Sequence, residues 1–196
     1  QFLFTVLPGG AGNSPLDTAF EADSDEGAAT PDSHVNISTP VVVSPNVLGR
    51  WLVGGAPSTS ATVGQTAYLQ ICTTETGIEA IDAQIATSIV GAVVEVRNFE
   101  SDGSPSAAAG LVHPDCFGTD DQLDDFFFPN LTSSTSANFG VSAVTPPSVG
   151  RVGIAEVIVS VNQAGTLTPT LSLPNFQVSG VQGTPNIDMQ SLTVTN

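Results

Sequence analysis

The stretch Val152–Val161, VGIAEVIVSV, constrains the fold more than any other part of the chain. In an extended strand Val157, Val159 and Val161 fall on one side and Val152, Ile154 and Ile158 on the other, so neither side is built for water. Only an interior strand of a sheet covered on both sides tolerates that pattern, and the segment therefore predicts a central strand. Glu156 is its one charged residue. A carboxylate in mid-strand is expected at a sheet border, reaching solvent or an arginine, rather than serving as a catalytic acid.

Further short β-branched runs occur at residues 34–43, 49–53, 66–73, 139–144, 166–173, 176–181 and 187–194. In residues 66–73, Ala67, Leu69 and Ile71 alternate with Tyr68, Gln70 and Cys72. Turn residues separate the runs, as in Ser44-Pro45-Asn46 and Gly54-Gly55-Ala56-Pro57. Residues 78–90 read two ways. Ile78, Ile81, Ile85, Ile89 and Val93 recur at helical spacing, yet Ile81, Ala83 and Ile85 also alternate with Asp82, Gln84 and Ala86. The β-branched content and the strand-like residues 93–99 favour strands, with a short helix as the alternative. With 196 residues, 40% of them hydrophobic, the chain can bury one good core, and the expected fold is all-β: a single β-sandwich.

The N-terminal segment poses a different problem. Residues 1–7, QFLFTVL, place Phe2, Leu3, Phe4, Val6 and Leu7 ahead of the flexible Pro8-Gly9-Gly10-Ala11-Gly12. Left bare, such a segment is an aggregation-prone edge strand, so something must cover it, either its own sheet or a neighbour's. The expected division is an arm and tether over residues 1–12 and a sandwich over 13–196, in which residues 13–33 form an acidic loop. Gln1 in place of Met points to removal of a leader, and with it to export. No run approaches the roughly 18 to 20 apolar residues that span a bilayer.

Lysine is absent, and Arg50, Arg97 and Arg151 face 19 acidic residues, for a formal charge of −16. Such a chain repels nucleic acid and anionic membranes. The partners it favours are cations, neutral sugars and further copies of itself; the same bias keeps proteins hydrated in high salt. Cys72 and Cys116 are the only cysteines, and in an exported chain they are expected to form a disulfide, with a metal or redox pair as the alternative. Asp115, Asp120, Asp121, Asp124 and Asp125 crowd one segment, and Asp23, Asp25 and Glu26 another. Solvated acids on a loop are one reading and a calcium site the other, since calcium takes roughly six to eight hard oxygens. No cofactor is required. Asn36-Ile37-Ser38 and Asn130-Leu131-Thr132 are acceptor triplets for N-glycosylation at Asn36 and Asn130.

Enzyme chemistry is not expected. There is no G-x-S-x-G, and the only histidines are His34 and His113, the second expected in a surface loop beside Pro114 and Cys116. A phosphate-binding glycine loop would want a lysine.

Residues 62–69 (TVGQTAYL), 77–85 (GIEAIDAQI), 153–161 (GIAEVIVSV) and then 168–179 resemble the strand order of cohesin-like jelly-roll modules over about residues 60–196. The resemblance implies a jelly-roll sandwich and an extracellular scaffold or recognition role. The apolar arm on its glycine tether resembles, in architecture alone, pilins that polymerise by donor-strand exchange and thread-like archaeal surface filaments. The leading expectation is therefore an extracellular subunit that self-assembles into a filament or surface layer, the arm entering a neighbour's sheet. The alternative is a secreted cohesin-like or carbohydrate-binding recognition module, with Trp51 and Tyr68 as the aromatics available for stacking on sugars.

Overall fold

Alternating residues 66–73 and Val152–Val161 become two neighbouring strands about which the rest is arranged. The computed structural model describes residues 46–98, 100, 107–118, 126–144, 146 and 151–196, all within one unit, Pro45–Asn196. Among them are fourteen strands and no helix. In chain order these are β1 (Val47–Val53), β2 (Ala56–Pro57), β3 (Ser60–Thr62), β4 (Thr66–Thr73), β5 (Ile78–Ala86), β6 (Gly91–Arg97) and β7 (Phe126–Ser133). There follow β8 (Ser136–Ser142), β9 (Val152–Val161), β10 (Gly165–Leu167), β11 (Thr170–Val178), β12 (Val181–Gln182), β13 (Ile187–Met189) and β14 (Leu192–Thr195).

The first sheet has the order β13-β1-β4-β9-β6, with β2 folded back on β1; the second has the order β12-β11-β5-β8-β7. A small third sheet is β10-β14-β3. Pairing is antiparallel except for β1 with β13 and β14 with β3. One core joins the sheets: Trp51, Leu69, Ile71 and Val157 from the first, Ile81, Ile85, Phe139 and Phe176 from the second, Leu192 and Val194 from the third. Each such side chain contributes about 1.5–3 kcal/mol by leaving water, which is what holds two sheets face to face. This is the all-β sandwich that the alternation predicts.

Residues 78–85 settle as strand β5. Ile78, Ile81, Ala83 and Ile85 are buried, Asp82 and Gln84 are exposed, and Ile89, which the helical spacing needed inside, is 72% exposed.

Local irregularities correct the sequence reading. In β9, Ile71 of β4 faces Ala155 while the next residue, Cys72, faces Gly153, so Ile154 is an extra residue in the ladder. A bulge of this kind reverses the side-chain parity. Val152 and Ile154 consequently join Val157, Val159 and Val161 in the same core instead of pointing away from them. Likewise, the expected break between residues 166–173 and 176–181 does not occur. β11 runs through Pro174, which sits in a register shift between Ser172 and Asn175, where a residue without an N–H is tolerated. The run 187–194 is two strands, β13 and β14, in different sheets, parted at Gln190 and Ser191. Trp51 fixes that crossing by donating from Nε1 to the Gln190 carbonyl at 2.7 Å.

The expected strand 34–43, the arm at residues 1–7 with Phe2, Leu3, Phe4, Val6 and Leu7, and the boundary between residues 12 and 13 lie outside the described residues.

Candidate functional site

A sandwich offers two outer faces, and here they are built differently. On the first sheet, residues that alternate with the core (Leu48 and Arg50 on β1, Gln70 and Cys72 on β4, Glu156 on β9) point outward, yet most are buried, because residues 107–118 lie across them as a strap. Cys72 and Cys116 are joined in a disulfide with Cα atoms 5.5 Å apart, and they pack with Leu48, Ala107 and Val112 in a second small apolar cluster.

Gln70 holds the middle of the strap with both ends of its amide. Its Nε2 donates to the Leu111 carbonyl at 2.9 Å and to Glu156 Oε2 at 2.8 Å, and its Oε1 accepts from the His113 N–H at 2.7 Å. Glu156 Oε1 accepts from the Ala108 N–H at 2.6 Å. The expected place at a sheet border open to solvent is thereby overturned: Glu156 is fully buried on an inner strand, opposite Arg97 in the ladder, with bonds from an amide and a backbone N–H. A carboxylate can sit there because the strap brings donors to it. His113 is also buried rather than on the surface, with its Nδ1 accepting from the Asp115 N–H at 3.1 Å.

At the strap's far end Arg50 donates from Nε to Asp115 at 2.8 Å and from Nη2 to Asp188 at 2.7 Å. Burial works to lower the Arg50 pKa, but these bonds outweigh it and hold the value above the ordinary one. The hydrogen bond from Arg50 holds the Asp115 carboxyl below its usual range. Burial lowers the His113 pKa, against an opposing pull from Asp115. Arg151 donates to the Asp115 carbonyl, and Gly118 lies so close to Arg151 that a Cβ there would stand 2.3 Å from the Arg151 carbonyl oxygen.

The second sheet carries no strap among the described residues. Asp82 and Gln84 on β5, Asn138 and Gly140 on β8, and Ser172 and Asn175 on β11 alternate outward and are exposed or half-buried. Apart from the Asp82 carboxylate, to which Asn175 Nδ2 donates at 3.2 Å, they are amides, a hydroxyl and a glycine, so the surface is rich in hydrogen-bonding groups and sparse in charge. Two open depressions cross it. One, of about 360 Å³, lies among Gln84, Thr132, Ser136, Asn138 and Ser172; the other, of about 290 Å³, among Asp82, Phe128, Asn130, Asn138 and Pro174. At its rim the edge strand β7 exposes Phe126 and Phe128, whose rings stack in parallel with centroids 6.3 Å apart.

Of the residues singled out in the sequence, Asn130 stands exposed on β7. Asn36 and the acids Asp120, Asp121, Asp124 and Asp125 lie outside the described residues, as do Asp23, Asp25 and Glu26. Asp115, the described member of its acidic segment, is engaged by Arg50, and among the described residues no group of three or more His, Cys, Asp or Glu is placed to hold a metal. Trp51 is buried in the core and cannot stack on a sugar; Tyr68 is half-buried. No helix of the described residues is long and apolar enough to cross a membrane. The polar face was missed in the sequence, although its signal is there: Gln84, Asn138 and Ser172 occupy outward strand positions where a merely solvated face would more often carry Lys or Glu.

No protein-family model and no curated protein matches the chain by sequence. Solved structures do match in fold. A non-cellulosomal cohesin from the hyperthermophilic archaeon Archaeoglobus fulgidus aligns with a TM-score of 0.53 at 9% identity, covering 79% of this chain and 93% of that one. CaCohA2 from Clostridium acetobutylicum aligns with a TM-score of 0.50 at 16% identity, covering 77% and 92%. CaCohA2 has also been solved in a complex with a variant of CaDoc0917, which aligns at 0.47 with 17% identity, covering 76% and 98%. The chain thus has the cohesin-like jelly-roll fold that residues 62–69, 77–85 and 153–161 resemble.

Proposed function

We propose that this chain is an extracellular, non-enzymatic recognition module that docks a protein partner on the outer face of β11, β5 and β8. The observation that carries the reading is the asymmetry of the two outer faces. One is roofed by a strap with nearly every polar group satisfied from within, while the other leaves Gln84, Asn138 and Ser172 at the surface around open depressions. Uncommitted amides on a rigid sheet suit directional hydrogen bonding to another backbone or side chain. With a net charge of −16, the partner surface is neutral or basic. The Cys72–Cys116 disulfide supports an oxidising compartment. The fold likeness to CaCohA2, which forms a complex with a CaDoc0917 variant, supports a protein as the partner.

A photo-crosslinking residue placed at Asn138 in the protein on its producing cells tests this. It should give one dominant protein adduct, and the same probe at Leu111 on the strap should give none. Equal adducts from both positions, or none from Asn138, would sink the reading.

A second reading, self-assembly by strand addition, draws on one specific feature: β7 is the end strand of its sheet, paired on one side only among the described residues. A segment such as Phe2, Leu3, Phe4, Val6 and Leu7 from another copy is apolar and of similar length. Deleting residues 1–7 separates the two readings, since a docking module keeps its partner without them and a strand-exchanged polymer falls apart.

A further inference from the structure

We propose that Asn130 carries an N-linked glycan whose first sugar lies on the ring of Phe128. The sequence Phe128-Pro129-Asn130-Leu131-Thr132 is part of strand β7, and strand periodicity puts Phe128 and Asn130 side by side on one face, about 7 Å apart, while Thr132 is the extra residue of a register shift between Leu131 and Ser133. All three are exposed, Phe128 by 65%. Across the ladder Phe128 faces Gly140 and Asn130 faces Asn138, so no bulky cross-strand neighbour covers the ring; Phe126 stacks on one side of it, and the 290 Å³ depression opens between Phe128 and Asn130. The C–H face of a pyranose sits well on the negative face of an aromatic ring, and a sugar on Asn130 is tethered at the distance where that contact closes.

The site also accounts for an otherwise poor surface. Phe126 and Phe128 form an exposed apolar pair on an edge strand, the arrangement that invites sheet-to-sheet aggregation. A bulky hydrated glycan covers it. The sugar sits in the smaller depression, which Gln84 and Asn138 also line, and leaves Ser136 and Ser172 of the larger one clear; the glycan itself is read on the peptide, whatever docks on the face.

The donor comes from outside the chain, as an oligosaccharide joined through its anomeric carbon to a polyprenyl phosphate or pyrophosphate. Asn130 Nδ2 forms the bond to the anomeric carbon, the bond from that carbon to the phosphate oxygen breaks, and its electron pair leaves with the lipid phosphate. Nδ2 gives up one proton, and nothing is oxidised or reduced. In the folded hairpin the Thr132 hydroxyl is already bonded to Ser136, at 2.7 Å to Oγ and 3.0 Å to the carbonyl, so transfer belongs to the chain before β7 and β8 close.

Trypsin cuts the reduced chain only after Arg50, Arg97 and Arg151, which isolates Asn130 from Asn36 in the peptide 98–151. In protein taken from its native source, that peptide should carry glycan mass, and enzymatic release of the glycan by amide cleavage should leave an aspartate at position 130. An unmodified peptide overturns the proposal. Thr132→Ala, expressed in the same source, should lose the sugar completely. For the contact with Phe128, enzymatic deglycosylation should lower the Tm of the wild-type protein and leave that of Phe128→Ala nearly unchanged. An equal drop in both would place the sugar away from the ring.

Discussion

The outer faces of the two sheets start from the same strand geometry and end with opposite uses of the same side chain. Gln70, in the middle of β4, and Gln84, near the end of β5, both point away from the core. Gln70 has its amide taken up by the strap and Glu156, and is fully buried; Gln84 is exposed. The difference is the strap. Where residues 107–118 cover the sheet, polar side chains become structural, and their removal should cost stability. Where nothing described covers it, the same residue type is free to bind, and its removal should cost partner affinity alone.

Cutting the strap loose is the most drastic way to erase that difference. Cys72→Ser with Cys116→Ser removes a crosslink across 44 residues, which the chain-entropy account values at about 4 kcal/mol. Chemical denaturation should show a loss of that size, and hydrogen exchange should show the Ala108 and His113 N–H groups losing protection before the strands of the second sheet. Uniform loss of protection would mean that the strap and the sandwich are one cooperative unit.

Next in size is Gln70→Ala. It strips the Leu111 carbonyl, the His113 N–H and the Glu156 carboxylate of a partner beneath the strap, at a cost of about 3 kcal/mol. A loss below about 1 kcal/mol would show that water enters and satisfies these groups.

How much of this could be read in the chain divides along the same line. The core strands were legible: residues 66–73 and 152–161 coincide with β4 and β9, the first because Ala67, Leu69 and Ile71 alternate toward the core and the second because a strand covered on both faces leaves a continuous β-branched run. Strand β7 was not legible. Its three consecutive phenylalanines, its proline and its exposed polar tail carry no alternation, since an edge strand facing water selects for none. Glu156 and His113 were misjudged because their burial rests on partners far along the chain. Glu156 meets Ala108 across 48 residues and His113 meets Gln70 across 43, which no short window on the sequence contains. Parity in β9 failed for a related reason: the Ile154 bulge is defined by the partner strand.

Acid should loosen the strap by a smaller amount. His113 has a folded pKa below its ordinary 6.5, so from that value downward the unfolded chain binds a proton that the folded one resists, and stability falls with pH. Asp115, held low by Arg50, acts in the same direction below about 3.8. Exchange at the strap amides should therefore speed up as pH falls from neutral, beyond the intrinsic pH effect, while amides of β5 and β8 do not respond. His113→Gln should remove the upper step and keep the lower one.

The smallest expected stability effect is the one that gives the comparison its meaning. Gln84→Ala removes an exposed amide from a strand whose backbone pairing to β8 and β11 stays intact, so the change in unfolding free energy should stay within about 0.5 kcal/mol. The Asn138 crosslink to the partner should nonetheless weaken, because an interfacial amide lost from a desolvated contact leaves the partner's group unpaired. If Gln84→Ala were as destabilising as Gln70→Ala, the second face would itself be covered by some part of the chain, and the uncommitted amides on which docking rests would be structural after all.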